Sequence, residues 1–241
     1  MNCNMKEIKH KIERLDWEEI SLAMHQNGYA QIRDLLNQKQ CEELIEGYDQ
    51  NDRYRKTVRM ERHRFGFGEY KYFNYPLPDL VHQIRTQIYP RLAEIANLWY
   101  RSLKINTMFP MEHAELLRQC LQHKQMLATP LILRYGKGGF NTLHQDIYGD
   151  LFFPLQMVLF LNEPDEDYSA GEFVLTQQIP RVQTRAIVLR PKRGDALIFA
   201  SNFKPELGNK GYYRVNMKHG VSEVTSGIRH TLGIIFHDAL S

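Results

Sequence analysis

Cysteine is scarce in this chain. The 241 residues hold only Cys3, Cys41 and Cys120, odd in number and far apart. They build neither a disulfide framework nor a CxxC pair, so three reduced thiols in a cytoplasmic protein are expected. Long apolar runs are missing as well. None reaches the ~18–20 residues that span a bilayer, and Met1 to Arg14 is polar and charged, without a secretory apolar core. Repeats and low-complexity tracts are absent. An apolar share of 43% with 24% charged residues excludes a disordered or collagen-like chain. At roughly 150 residues per domain, the length fits one large domain, or one domain with a sizeable extension.

The net charge of +3 hides two opposed blocks. Glu42, Glu43, Glu46, Asp49 and Asp52 form an acidic stretch. Arg53, Arg55, Lys56, Arg59, Arg62 and Arg64, against Glu61, form a basic one directly after it. So dense a basic segment can follow phosphates. It can equally neutralise its acidic neighbour.

The first half reads as helical. Asp16-Trp17-Glu18-Glu19 resembles a capping box and Asn27-Gly28 a stop. Asn37 can cap a second helix with Cys41, Leu44, Ile45 and Tyr48 on one face, and a short strand fits between them within 29–36. Leu80, Ile84, Ile88, Leu92, Ile95 and Trp99 form a long apolar stripe, which Pro90 kinks or divides. A further helix fits 112–124. Residues 51–77 carry no helical period and are rich in Arg, Tyr, Phe and Gly, as in an exposed loop or hairpin with mobile glycines.

After about residue 126 the period changes. Eight short runs of branched and aromatic residues, separated by turn signals, lie near 131–135, 143–147, 155–161, 172–176, 186–190, 196–200, 219–224 and 230–236. The reading is α+β: a jelly-roll core over 127–241, with an N-terminal helical extension over 1–126 packed on its sheet and a basic, aromatic lid at about 51–77.

The sharpest local feature is His144-Gln145-Asp146. In extended chain, residues i and i+2 share a face, so an imidazole and a carboxylate can converge on one cation. His219 is the best third ligand, with His237 next. Two histidines and one carboxylate leave coordination positions open, which suits a non-haem Fe(II) site. Arg229 follows His219 by ten residues. If 219–224 and 229–236 are neighbouring strands, Arg229 lies deep in the barrel, where a guanidinium needs an anion. Thr231 shares its face, and Tyr135 can bring a phenol to the same pocket. A metal beside such a carboxylate pocket calls for a ligand with a chelating end and a distant carboxylate, as 2-oxoglutarate has.

The stretch Arg134-Tyr135-Gly136-Lys137-Gly138-Gly139-Phe140-Asn141-Thr142-Leu143-His144-Gln145-Asp146, followed by His219 and Arg229, resembles prolyl-4-hydroxylase-like Fe(II)/2-oxoglutarate dioxygenases. Gly194-Asp195-Ala196-Leu197-Ile198-Phe199 is similar to the strand before their distal histidine. The resemblance covers about 127–239, and the C-terminal half is similar to a bacterial branch described as acting on damaged nucleic acid. It implies Fe(II) held by His144, Asp146 and His219 as the catalytic centre. It implies 2-oxoglutarate paired with Arg229, assisted by Tyr135 and Thr231. O2 takes the remaining position, and ascorbate supports turnover. The implied outcome is succinate, CO2 and a hydroxylated carbon, or loss of an N-methyl group as formaldehyde. Members that halogenate replace the carboxylate by a small residue, so Asp146 points to hydroxylation or demethylation.

For the substrate, three readings stand open. In the first, Arg59, Arg62 and Arg64 take phosphates while Phe65, Phe67, Tyr70 and Tyr72 stack bases of an alkylated nucleic acid. In the second, the lid clamps a peptide for hydroxylation. In the third, a metal-binding jelly roll acts as a sensor without turnover. No membrane partner is expected.

Overall fold

The computed structural model describes residues 3–147 and 149–240, with side chains from residue 7 onward, so the Cys3 thiol lies outside the described residues. Cys41 and Cys120 are free and buried. In chain order the elements are α1 (Cys3–Glu13), α2 (Trp17–Asn27), β1 (Tyr29–Ile32), α3 (Gln38–Glu46), β2 (Tyr54–Arg59), β3 (Gly66–Phe67), β4 (Glu69–Phe73), α4 (Asp79–Ser102) and α5 (His113–Gln122). There follow β5 (Leu131–Tyr135), β6 (Phe140–His144), β7 (Leu155–Phe160), β8 (Tyr168–Ala170), β9 (Phe173–Gln178), β10 (Arg185–Leu189), β11 (Ala196–Ala200), β12 (Phe203–Gly208), β13 (Gly211–Val221), β14 (Val224–Gly227) and β15 (Arg229–Ile235).

Two antiparallel sheets face each other as a double-stranded β-helix, and the fold is α+β. One sheet runs β1-β11-β7-β15-β5-β4-β2. The other runs β10-β9-β13-β6-β3, with β12 also on β13. The central strand β7 is buried along its whole length. Its alternate side chains serve two cores, as the period of two demands. Leu155, Met157 and Leu159 join the helices in the larger core, while Val158 and Phe160 point into the barrel with Phe173, Leu175 and Phe199.

The helical caps form where the sequence places them. Asp16 accepts from the Glu19 amide, Gly28 closes α2 in the left-handed conformation, and Asn37 and Gln40 form a reciprocal capping box. Pro90 sits inside one continuous helix. Its stripe, from Val81 to Trp99, lies against a single core, so both halves gain from staying collinear.

Three expectations are corrected. The first concerns 51–77: of loop or hairpin it holds the hairpin, which is built into a sheet and does not stand free. β2 pairs with β4, and β4 pairs with β5, so the segment completes the edge of the larger sheet. Edge strands carry charge to block further pairing, and that charge masks the strand period. Lys71 is buried, donating to the Tyr48 carbonyl and Asn51 Oδ1 beneath the Tyr48 ring. The glycines here permit close packing, not motion. A Cβ on Gly66, at φ 148°, would meet the Phe140 carbonyl oxygen at 2.2 Å. Together with β1, these strands make the N-terminal half more than a helical extension.

The second correction concerns β13, which begins at Gly211, so His219 lies near its end. The third follows from it: β13 and β15 are not neighbours. Both edges of β13 are occupied, by β9 on one side and by β12 and β6 on the other. The chain must therefore cross to the opposite sheet, where β15 inserts between β5 and β7.

Arg85 on α4 ties the helices to the end of β15. Its Nε donates to the Ile235 carbonyl. Its Nη2 donates to the carbonyls of Phe236 and His237 and to Asp238 at 2.8 Å, and its Nη1 to the Tyr75 hydroxyl. Removing one partner of a buried ion pair strands the other, at about 3–5 kcal/mol. Asp238→Ala therefore lowers unfolding free energy by about that much in urea titration. A second prediction concerns pH. Burial pushes the His113 and His237 imidazoles down to about 3. Both bind fewer protons folded than unfolded, so their contribution is whole above pH ~6.5 and is lost as pH falls from there toward 3. Thermal midpoints should decline across that window.

Candidate metal centre

β6 and β13 pair so that His144 and His219 stand directly opposite each other. Their rings lie 4.2 Å apart between centroids. Asp146, two residues beyond His144, reaches both, with Oδ1 3.5 Å from His144 Nε2 and Oδ2 3.3 Å from His219 Nε2. One ligand atom from each residue lies within 4.8 Å of the other two. His144 Nδ1 is 2.7 Å from the Thr142 carbonyl, which takes its proton and leaves Nε2 free to ligate. Burial, and then His219 beside it, holds the His144 pKa below its usual value, which keeps the ring neutral. The residue between the ligands has a structural task. Gln145 donates to the carbonyls of Asn202 and Met217, pinning the chain between His144 and Asp146.

Behind the triad lies a cavity of about 240 Å³ lined by Tyr70, Tyr135, Gln156, Phe199, Arg229 and Thr231 among others. Arg229 is 1% exposed. Its Nε, Nη1 and Nη2 all lack a hydrogen-bond partner. The guanidinium is surrounded by the rings of Tyr135, Phe160 and Tyr168 at 5.6, 5.6 and 5.9 Å. Aromatic faces ease part of the desolvation cost, but they supply no acceptor lone pairs. Tyr135 is opposite Arg229 in register, and its hydroxyl is buried without a hydrogen-bond partner. Burial raises its pKa to about 12, so it remains a phenol and a donor. Three nitrogens and one hydroxyl without hydrogen-bond partners around one space suit an anion.

His144, Asp146, His219, Arg229, Tyr135 and Thr231 thus converge on one cavity. Tyr70 joins them in its wall, where burial and Tyr72 raise its pKa. Arg59, Arg62 and Arg64 do not line it. They stand exposed on and beside the short turn Met60–His63, next to Phe65, which does. Arg59 lies 3.7 Å from Glu69. His230 faces the opposite way, against Tyr48 and Asn162, and burial lowers its pKa to about 4. His237 accepts from the Phe153 amide in the core and is no ligand. Sequence reasoning missed the aromatic wall around His219, formed by Phe173 and Phe199 with ring centroids 6.0 and 4.8 Å away. The signal was present in the alternation of β9 and β11.

A donor set of two imidazoles and one carboxylate on one side of a cavity fits Fe(II), and the neighbouring buried anion site fits the far carboxylate of 2-oxoglutarate. The fold is that of the 2-oxoglutarate/Fe(II) oxygenases. A Pseudomonas putida prolyl-4-hydroxylase aligns with a TM-score of 0.52 and 13% identity, over 90% of this chain and 96% of that one. An oxidoreductase of the 2OG-Fe(II) oxygenase family from Burkholderia pseudomallei aligns at 0.50 and 11%, covering 94% and 93%. A non-heme alpha-ketoglutarate-dependent epimerase, SnoN from nogalamycin biosynthesis, aligns at 0.54 and 12%, covering 90% and 80%.

Residues 68–239 match the model of the Oxygenase-NA family, described as "Oxygenase, catalysing oxidative methylation of damaged DNA", and the chain belongs to that family. It is an oxygenase. An uncharacterized protein from two Mycobacterium tuberculosis strains is 36% identical over 167 residues, which are 69% of this chain and 72% of that protein.

Loss of even an outer partner of a metal ligand typically costs about 10–100-fold in affinity. If Asp146 shares the ion with His144 and His219, Asp146→Ala should weaken Mn(II) binding by calorimetry by more than about 100-fold. A smaller loss would show that the carboxylate does not share the ion.

Proposed function

We propose that this protein is an Fe(II)- and 2-oxoglutarate-dependent oxygenase that oxidises an alkylated base of nucleic acid. The observation that carries the reading is the buried, unpaired Arg229 guanidinium in the same cavity as the His144-Asp146-His219 triad. In this reading the triad holds Fe(II). Arg229 takes the distal carboxylate of 2-oxoglutarate bidentately, and Tyr135 and Thr231 add hydroxyls to it. Bound Fe(II), with 2-oxoglutarate and O2, supplies oxidation of a C–H bond with release of succinate and CO2. Ascorbate supports turnover by keeping the iron ferrous. The apolar wall of Leu131, Leu133, Phe173 and Phe199 excludes water from the reacting carbon.

The nucleic-acid assignment draws on the family description and on the surface around the cavity. Phe65 lines its mouth and is 47% exposed, with His63 stacked on it at 5.3 Å. Exposed Arg62 and Arg64 flank this pair, and Arg59 and the basic strand β2 continue the positive edge. Aromatic faces beside guanidinium groups suit an unstacked base and its phosphates. The segment over 51–77 then serves as the substrate-facing arm of the site. Such an enzyme must extrude its base or act on single strands. Oxidation at an N-methyl carbon yields a hydroxymethyl group that leaves as formaldehyde, so we read the methyl chemistry of the family as removal. The cytoplasm, which holds both nucleic acid and 2-oxoglutarate, is the expected compartment.

The test is simultaneous measurement of succinate and formaldehyde from methylated single-stranded oligonucleotides. Succinate without formaldehyde, together with +16 Da on peptides, would move the reading to a peptide hydroxylase. Absence of succinate under every condition would leave only a metal-binding scaffold. Arg229→Ala should raise the 2-oxoglutarate requirement by about 30-fold or more, since truncating one partner of a buried charge pair costs roughly 2–5 kcal/mol. Replacing Arg59, Arg62 and Arg64 together by Ala should flatten the log–log salt dependence of single-strand binding by about 0.7 for each phosphate no longer neutralised. An unchanged slope would take the arm out of the interface.

A further inference from the structure

One polar side chain in the cavity has no task in the chemistry above. Gln156 opens the interior face of β7, in line with Val158 and Phe160. It is 3% exposed, lines the cavity, and its Nε2 has no hydrogen-bond partner. Burying an amide without a partner is unfavourable, and side chains left so are few in native proteins. An apolar residue of the same size would suit a strand whose other interior residues are Val and Phe.

Register places this amide. Gln156 is the cross-strand neighbour of Phe199 on one side and of Ile235 on the other. Phe199 packs against the His219 ring at 4.8 Å. Gln156 therefore lies at the level of the metal ligands. Arg229 lies six residues before Ile235 on the same strand, roughly 20 Å along the sheet at ~3.3 Å per residue. A five-carbon diacid gripped by Arg229 spends its length between that guanidinium and the metal. The amide stands at the far end of the cavity from Arg229, beside the residues that would hold the metal.

We infer that Gln156 is a specificity-determining residue whose amide hydrogen-bonds the edge of the target nucleobase. The inference rests on the nucleic-acid reading of the site. A primary amide offers a donor and an acceptor side by side. An unpaired base presents the matching pair on its edge, and Gln is a recognised partner for such an edge. Leu131, Phe199 and Ile235 in the same cavity offer apolar contact area around it. The Nε2 donor has no partner in the protein, as expected of a group whose partner is a ligand.

The test uses the full chain with Mn(II) and 2-oxoglutarate bound, and single strands of one length that differ only at a central base: each of the four, or an abasic site. Affinity is read by fluorescence anisotropy, and the thermal midpoint is read without oligonucleotide. The wild type should separate its best from its worst base by about 10-fold or more. Gln156→Leu should compress that spread to about 2–3-fold, while its thermal midpoint equals or exceeds the wild type's, because an orphaned buried amide has been replaced by an apolar group. A spread kept by Gln156→Leu, a wild-type spread below about 3-fold, or a lowered midpoint each overturns the inference, the last by showing that the amide holds the fold together. Binding of no strand by the wild type overturns the nucleic-acid reading itself, and the Gln156 inference falls with it.

Discussion

A guanidinium without an anion sets the terms for this barrel. Taking Arg229 out of water costs several kcal/mol unless a partner repays it, and none of its three nitrogens has a hydrogen-bond partner in the protein. Three aromatic rings surround the charge at 5.6–5.9 Å. The rest of the fold must hold it there. β15 does so by lying between β7 and β5 in the middle of the seven-stranded sheet, where it cannot fray. The helices do so by covering the outer face of that sheet, so that α4 and the barrel bury the same strands from opposite sides.

A second buried arginine makes the comparison. Arg85 is as deeply buried as Arg229, and it is saturated with three backbone carbonyls, two hydroxyls and a carboxylate. Such a group is structural: its acceptors come from the protein, and its removal is felt in stability. Arg229 has the same chemistry and none of its nitrogens is hydrogen-bonded, which is the pattern of a group awaiting a ligand. The same distinction separates Gln145, whose amide pins the loop between the two ligands, from Gln156, whose Nε2 bonds to nothing. Residue type alone does not separate structural from functional polar groups in a core. Whether their donors are satisfied does.

Much of the site was legible in the sequence because its parts are local or periodic. His144 and Asp146 lie two residues apart and meet although β6 ends at His144, and β5, β7 and β11 stand out through continuous branched and aromatic runs. The sequence puts Arg229 in the barrel on the premise that β13 and β15 are neighbours; the structure buries it by another route, opposite Tyr135 on β5. What was hidden depends on partners distant in sequence. The crossing of the chain from β13 to β15 follows from both edges of β13 being filled, which no local pattern records. β2 and β4 were masked by Arg and Lys, and β12 by Lys204-Pro205 on a strand paired only with β13. Gln156 was invisible because a glutamine in a run of apolar residues carries no sign of whether its amide is paired.

The two halves of the site also share one wall. The Phe65 carbonyl accepts from both the amide and the hydroxyl of Thr142, two residues before His144, and the Thr142 carbonyl in turn orients that histidine. A few residues further along, Gly68 presses against Tyr135, where a Cβ would come within 2.9 Å of the ring. The segment that presents Phe65 at the mouth is therefore bonded to the strand bearing a metal ligand and packed on the phenol beside Arg229. Displacing the arm to admit a large substrate would disturb both. Contact with the arm as it stands leaves His144 and the pocket of Tyr135 and Arg229 in register.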